Sequence, residues 1–466
     1  MVIVSAIVLS ASFVATATNG HVVSGDPARV FQSASIDSRT MEPGTLFVAL
    51  KGERFDAHDF LADTLGRGAA GLVVSAPPAD AGGATVIVVR DTLAALQALG
   101  AAVRRASTSQ VIAITGSVGK TTTKELTATM LATRFNVFRN RGNLNNHIGL
   151  PLSLLELRKG PDIAVLELGM NHAGEIHALV GLAAPDVRVW TNVGDAHIGH
   201  FGSREAVALA KAEVLDGATP ETIVVANGDD PLVMRHVAAT SARLVTFGER
   251  AGTSVRAVNV RDRGFDGTTA DIETSAGAVH VSVPLPGRAQ LSNALAAIAV
   301  SLEFGIKPAA IEATLATFRP VARRGSSIAL RTGVRVIDDS YNASPVAVMA
   351  MLAALELTET GGRRIAVLGE MLELGDSALH LHAQCGEAAA RSHVDELFVV
   401  GGASADGFAT GATRAGMAAN RVHRFSDSAT AAPAVAALVR SGDVVLVKGS
   451  RATRTDVIAD RLAEVD

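Results

Sequence analysis

Along most of the chain, short apolar runs alternate with stretches in which apolar residues recur at helical spacing. In the first quarter, Phe47-Val-Ala-Leu50, Gly71-Leu-Val-Val74 and Val86-Ile-Val-Val89 predict strands, and Asp91 to Ala106 predicts a closing helix. Val111-Ile-Ala-Ile114, Ile163 to Leu168, Val187 to Asn192 and Thr222 to Asn227 predict strands separated by helical segments, the alternation of a parallel α/β sheet. Between 255 and 285 the alternation becomes hairpin-like (Val255 to Val260, Val279 to Val283), and Ala289 to Phe304 predicts a helix. Strands at Val334 to Asp338, Arg364 to Leu368, Glu396 to Val400 and Asp443 to Val447 predict a second parallel sheet with its own helices. The expected fold is therefore α/β in three domains, at 1–108, 109–319 and 320–466.

Composition narrows the function classes. Of 466 residues, 48% are hydrophobic and only 4% aromatic, a pattern typical of Ala/Val/Leu-rich α/β proteins. A net charge of −4 without a basic block argues against nucleic acid as a partner. Cys385 is the single cysteine, which excludes an intrachain disulfide framework and a cysteine-based zinc site. The uncharged first 18 residues lack a basic n-region and are interrupted by Ser5, Ser10, Ser12, Thr16 and Thr18. The expectation is a buried strand–helix start, a cytoplasmic protein and no membrane insertion.

Chemistry concentrates first at Thr115-Gly-Ser-Val-Gly-Lys-Thr-Thr122. A buried strand leads into a glycine turn and then a helical run from Lys120 to Leu131. Such a turn presents backbone amides and the positive end of a helix dipole to an anion, with Lys120 adding a mobile charge and Thr121 a hydroxyl for Mg²⁺. The generic phosphate loop has a glycine where this chain has Ile114, so the motif is the shorter Gly116-x-x-Gly119-Lys120-Thr121. Gly116, Ser117, Val118, Gly119, Lys120, Thr121 and Thr122 are thus expected to bind ATP phosphates. Gly66-Arg-Gly-Ala-Ala-Gly71 also fits a dinucleotide pattern, but it follows a helix and precedes a strand, the reverse of the required order, and reads as a helix stop.

Other polar groups cluster at strand ends, where ligands sit in open α/β sheets. Glu167 is placed as a Mg²⁺ ligand, and Asn192 to His200 brings two histidines, His197 and His200, that suit metal or substrate contact. Lys211 lies on a helix starting near Ser203, where spacing alone does not single it out. Ile337-Asp-Asp-Ser-Tyr-Asn-Ala-Ser-Pro345, with Arg323 and Arg324 upstream, offers acidic and cationic groups in the third domain.

Taken together, Thr115 to Thr121, Gly142-Asn-Leu-Asn-Asn-His-Ile-Gly-Leu-Pro151, Glu167-Leu-Gly-Met-Asn-His172, Asn192 to His197 and Asp338 to Pro345 resemble the Mur ligases, ATP-dependent amide-forming enzymes of peptidoglycan precursor synthesis. The resemblance covers nearly the whole chain, since Ile36-Asp-Ser-Arg-Thr to Phe60 looks like the uridine-nucleotide module and Lys448-Gly-Ser-Arg451 fits the last domain. It implies a smaller N-terminal α/β domain, a central phosphate-loop domain and a Rossmann-like C-terminal domain. Within the family, Asn145-Asn146, Asp339-Ser-Tyr-Asn342 and Val367 to Gly375 resemble the members that join D-alanyl-D-alanine to UDP-N-acetylmuramoyl-tripeptide (UDP-MurNAc-tripeptide). No Asp-Asn-Pro-Arg run, the mark of the diamino-acid-adding members, is present.

By the same resemblance, Lys120, His197 and Lys211 are catalytic, and Lys211 is the lysine that such enzymes carbamylate. Two Mg²⁺ ions are implied, one held by Thr121 and Glu167 and a second near His197 and the Lys211 carbamate. Asn293, Arg324 and Asp339 correspond to nucleotide contacts; Ser38, Arg39, Asn143, Asn145 and Asn146 correspond to substrate contacts. A monomer is expected. The chain departs from the resembling sequences at His147, usually acidic, and at Arg323, commonly glycine. Rival readings are another Mur-type ligase, diamino-acid-adding or folylpolyglutamate-forming, and a phosphate-loop regulatory ATPase.

Overall fold

The computed structural model describes residues 7–52, 55–142, 144–195 and 198–464. Three sheets of five, nine and six strands organise them, mostly parallel and flanked by helices. By contact density the chain divides into residues 1–114 with 134–188, and 115–133 with 189–466.

In the first unit the five-stranded sheet runs in the order His21–Ser24, Thr85–Val88, Gly71–Val74, Thr45–Val48, Ser33–Ser35. Only the first pairing is antiparallel. The expected strand at Phe47 to Leu50 lies two residues earlier, because Leu50 N–H turns back to the Val48 carbonyl at 3.0 Å and ends the extended run. Asp91 caps the helix Thr92–Ala106 by accepting from the Leu93 and Ala94 amides. The helix Leu61–Gly66 stops just before Gly68, at φ +86°, in accord with its reading as a helix stop. The expected helical start is the helix Ala11–Thr18, capped by Ser10. Strand Ile163–Glu167 runs parallel between Gln110–Thr115 and Val137–Arg139, with Glu167 opposite Ile114.

In the second unit, Ile223–Asn227, Arg243–Gly248 and Val255–Asp262 are parallel neighbours, and Thr268–Thr274 and Gly277–Val283 extend them as an antiparallel meander. The six-stranded sheet is ordered Ser326–Ala329, Arg335–Asp339, Val444–Lys448, Arg364–Gly369, Glu396–Val400, Val422–Phe425, with only the first pairing antiparallel. A turn at Gly264–Asp266 inserts Phe265 into the core beneath this sheet, among Ile337, Leu352 and Leu355. Phe265 N–H donates to Thr358 Oγ1 at 2.8 Å, and Arg335 holds the Phe265 carbonyl at 2.7 Å and Asp266 at 2.6 Å. A Cβ at Gly264 would lie 2.1 Å from the Ala354 carbonyl oxygen, so only glycine allows this approach. Among the described residues, no helix is long and apolar enough to cross a membrane.

Candidate active site

The phosphate loop joins the strand Gln110–Thr115 to the helix Lys120–Leu131, where the motif placed it. Its two glycines are required by space as well as by conformation. A Cβ on Gly116 would meet Thr191 Oγ1 at 2.0 Å, and one on Gly119 (φ +85°) would meet Asn293 Oδ1 at 2.0 Å. Lys120 Nζ folds over the loop to the Gly116 carbonyl at 2.8 Å.

Much of the loop is clamped from the segment Thr191–Gly194. Asn192 Oδ1 accepts from Val118 N–H and its Nδ2 donates to the Val118 carbonyl, both at 3.0 Å; Ser117 N–H reaches the Asn192 carbonyl at 3.1 Å. Ser117 Oγ accepts from Gly194 N–H at 2.8 Å, and Thr191 Oγ1 donates to the Val118 carbonyl at 2.9 Å. The Ser117 and Val118 amides are thus engaged by Asn192, just ahead of the N-terminal turn of the helix at Lys120. Sequence reasoning gave Asn192 to a metal or substrate cluster; its clamping role was signalled only by its place at a strand end. Asn227 and Asp230 brace the same segment, through the Thr191 carbonyl (2.8 Å) and Val193 N–H (2.7 Å).

Asn293, on the helix Ala289–Glu303, lies against Gly119 with its Oδ1 3.4 Å from Thr123 Oγ1 and its Nδ2 2.8 Å from Gln290 Oε1. Lys211 is 1% exposed on the helix Arg204–Ala212, which Ser203 caps. Burial, with the Lys120 charge adding to it, holds the Lys211 amine well below the usual lysine range. A neutral amine is the nucleophilic form of lysine, and neutral is the form a buried site favours.

In the six-stranded domain, Arg324 lies with Cζ 3.9 Å from the Tyr341 ring centroid, and Arg451 approaches the same ring at 5.3 Å. Asp339 Oδ2 accepts from Lys448 Nζ at 2.5 Å, and Lys448, 3% exposed, also donates to the Asn342 carbonyl. Next to the Val367 to Gly375 run, His382 accepts from Met371 N–H at Nε2 (2.8 Å) and donates from Nδ1 to the Ala378 carbonyl (2.7 Å). Burial lowers its pKa, and the pairing requires the neutral ring.

In the first unit, Glu167 is 4% exposed; its amide donates to Asn140 Oδ1 at 3.0 Å and its Oε1 accepts from Asn145 Nδ2 at 2.9 Å. Asn145 therefore orients the carboxylate, and Asn140, which sequence reasoning missed, fixes the backbone beneath it. Asn146 Oδ1 accepts from Ile148 N–H and Gly149 N–H and so fixes the turn that leads into the helix Gly149–Leu155. Arg39 is exposed and fixed by a bidentate pair with Asp37 at 2.8 Å, and this pair holds the Asp37 carboxyl down at about 2. Ser38 lies between them in the loop. Asn143 and His197 lie outside the described residues, and His200 is exposed on the short helix Ile198–Phe201. Among the described residues, no group of three or more His, Cys, Asp or Glu is arranged to hold a metal. A Mg²⁺ site built from a hydroxyl, one carboxylate and waters does not require such a group.

A glycine cradle at a helix N-terminus, a lysine folded over it and a buried lysine with a lowered pKa on the helix Arg204–Ala212 define a phosphate-loop α/β protein built to handle ATP. Family models match in three places: the Mur ligase family catalytic domain over residues 31–105, the Mur ligase middle domain over 114–301 and the Mur ligase glutamate ligase domain over 323–451. The chain belongs to the Mur ligase family. It is 36% identical to the UDP-N-acetylmuramoyl-tripeptide–D-alanyl-D-alanine ligase of Bacillus subtilis, covering 93% of this chain and 94% of that one. It is 38% identical to the Escherichia coli ligase of the same name, over 96% of each. The crystal structure of MurF from Acinetobacter baumannii superposes with a TM-score of 0.89 at 32% identity, over 99% of this chain and 100% of that one. MurF from Thermotoga maritima in complex with ADP superposes at 0.81 and 30% identity, over 93% and 97%.

Proposed function

We propose that this chain joins D-alanyl-D-alanine to UDP-MurNAc-tripeptide, cleaving ATP to ADP and phosphate. The observation that carries the reading is the phosphate cradle between Gly116 and Lys120, with a buried Lys211 whose pKa is lowered by burial and by the Lys120 charge. The named relatives, matched over more than nine-tenths of both chains, supply the substrates.

A carboxylate does not condense with an amine in water, because its oxygen is a poor leaving group. An oxygen of the tripeptide's terminal carboxylate attacks the γ-phosphorus of ATP, ADP leaves, and an acyl phosphate forms. The D-alanyl-D-alanine amine adds to that carbonyl, and the tetrahedral intermediate collapses to the amide, expelling phosphate as the amine proton is lost. Lys120 and the amides of the Gly119–Thr122 turn neutralise the charge on the moving phosphoryl group. Thr121 and Glu167 would hold one Mg²⁺, and His197 and Lys211 would hold a second; bound there, the metals would supply Lewis-acid charge to the phosphoryl and carboxylate oxygens. Lys211 serves as a carbamate, formed when its neutral amine attacks CO₂ and loses a proton; this gives an anionic oxygen ligand where a protonated lysine would repel the metal. Arg324 and Asp339 contact the nucleotide from the C-terminal domain, and Asn293 lies at the adenine side. Ser38 and Arg39 bind the uridine diphosphate, while Asn143, Asn145 and Asn146 line the peptide substrate, Asn145 also aiming Glu167.

The domains are placed at 1–108, 109–319 and 320–466. The chain acts as a cytoplasmic monomer. ADP release measured with each substrate omitted in turn tests the reading. Turnover that needs both UDP-MurNAc-tripeptide and D-alanyl-D-alanine is expected. Turnover with neither would make the protein a regulatory ATPase, and dependence on a single amino acid in place of the dipeptide would make it another ligase of the family.

A further inference from the structure

The turn before Arg324 is held in a way that its own sequence does not demand. Arg323 has φ +66°, a conformation that side-chain-bearing residues keep only where their surroundings hold them. Its Nη2 donates to both carboxylate oxygens of Asp460 at 2.8 Å, and its Nη1 reaches Asp338 Oδ2 at 3.2 Å and the Asp456 carbonyl at 3.3 Å. Asp456 and Asp460 belong to the last helix, Asp456–Glu464, and Asp338 to the strand Arg335–Asp339. The backbone is tied down as well. The Arg323 carbonyl accepts from Tyr341 N–H at 3.0 Å, and the Gly325 amide donates to the Asp338 carbonyl at 2.9 Å. Residue 323 is thus fastened to a helix and a strand at once, and the next guanidinium is laid over the ring of Tyr341, the residue whose amide completes the fastening.

We propose that Arg323 is a positioning residue whose ion pair with Asp460 holds the turn that aims the Arg324 guanidinium at the nucleotide phosphates. The proposal rests on the assignment of Arg324 to nucleotide binding made above. Asp460 itself is about half exposed and engages Arg323, so any effect it has on ATP passes through that arginine.

Glycine tolerates a positive φ, so Arg323→Gly removes the tether without adding backbone strain. Asp460→Asn removes it from the other side. Full-length wild type, both single variants, the double variant and Arg324→Ala are titrated with a nonhydrolysable ATP analogue, and KM for ATP and for the UDP-linked substrate is measured in parallel. Each tether variant is expected to weaken nucleotide binding about three- to tenfold, with kcat and the KM of the UDP-linked substrate unchanged. The double variant should be no worse than the weaker single one, because both remove the same contact. Arg323→Lys, able to reach Asp460 through one donor, should recover part of the loss. Unchanged nucleotide affinity in both tether variants, or additive losses in the double, overturns the proposal. If Arg324→Ala alone weakens binding, the tether is wrong and the assignment of Arg324 stands; if wild type binds no nucleotide, the ligase reading fails first.

Discussion

Two regions assigned to the nucleotide are built on opposite principles. In the phosphate loop, Ser117 and Val118 are clamped by neutral hydrogen bonds with Asn192, Thr191 and Gly194, and Lys120 adds a charged donor to the Gly116 carbonyl. The corner around Arg324 and Asp339 is held by charge, through Arg323 with Asp460 and Asp338, and Lys448 with Asp339. Neutral backbone contacts fix a geometry that salt and pH barely touch, whereas ion pairs can be loosened by either. The difference teaches that one polyanionic ligand can be met by a rigid cradle on one side and by adjustable side chains on the other.

The contrast is broken most severely by Lys120→Ala, which removes the mobile cation and should lower kcat by on the order of a thousandfold in the ADP-release assay. Lys211→Ala should follow at roughly a hundredfold or more, with partial rescue by added short carboxylates. The wild-type amine offers a finer test. Since burial lowers its pKa, its neutral form extends to lower pH than in an ordinary lysine, and it becomes protonated as pH falls through its folded value. Activation by bicarbonate should therefore grow steeper toward acid, and a bicarbonate response independent of pH would argue against the carbamate.

Gly119→Ala, whose Cβ collides with Asn293 and whose φ is positive, should cost about 1–3 kcal/mol of local strain and weaken nucleotide binding on the order of tenfold to a hundredfold. That loss should be the same at low and high salt. Lys448→Met leaves Asp339 without its buried partner and should destabilise the protein by up to about 3 kcal/mol, read by denaturant unfolding.

The smallest effect concerns His382. Its folded pKa lies below the ordinary imidazole value of 6.5, so its contribution to stability is present above 6.5 and is lost as pH falls through the lowered value. The acid-side fall in melting temperature should be shallower in His382→Gln than in wild type.

What could be read from the sequence follows from where each signal resides. The helix Lys120–Leu131 and the central strands of both parallel sheets are buried apolar runs, and their bounds lie within a residue or two of expectation. Edge strands such as Ser33–Ser35, Ser326–Ala329 and Val422–Phe425 carry mixed polar residues and gave no such signal. Thr268–Thr274 was legible only as part of the hairpin-like stretch, its buried Thr268, Ala270 and Ile272 alternating with partly exposed Thr269 and Asp271 and exposed Glu273. The phosphate loop was legible because its chemistry is local. Asn140 beneath Glu167 and Asp460 beside Arg323 were not, since each meets its partner across 27 or 137 residues of chain. Asn146 was legible only in part: its motif pointed to substrate, whereas the acceptance by its Oδ1 of the Gly149 amide is a local contact that the motif did not signal.

Phe265 makes the junction near residue 320 less of a seam than the family pattern implies. A fragment beginning there would carry an empty benzyl-sized hole beneath its sheet, a defect worth about 3–5 kcal/mol, and an Arg335 stripped of Asp266. Supplying the Gly264–Asp266 turn as a peptide should plug that hole, making the hairpin tip a dowel on which the last domain is seated.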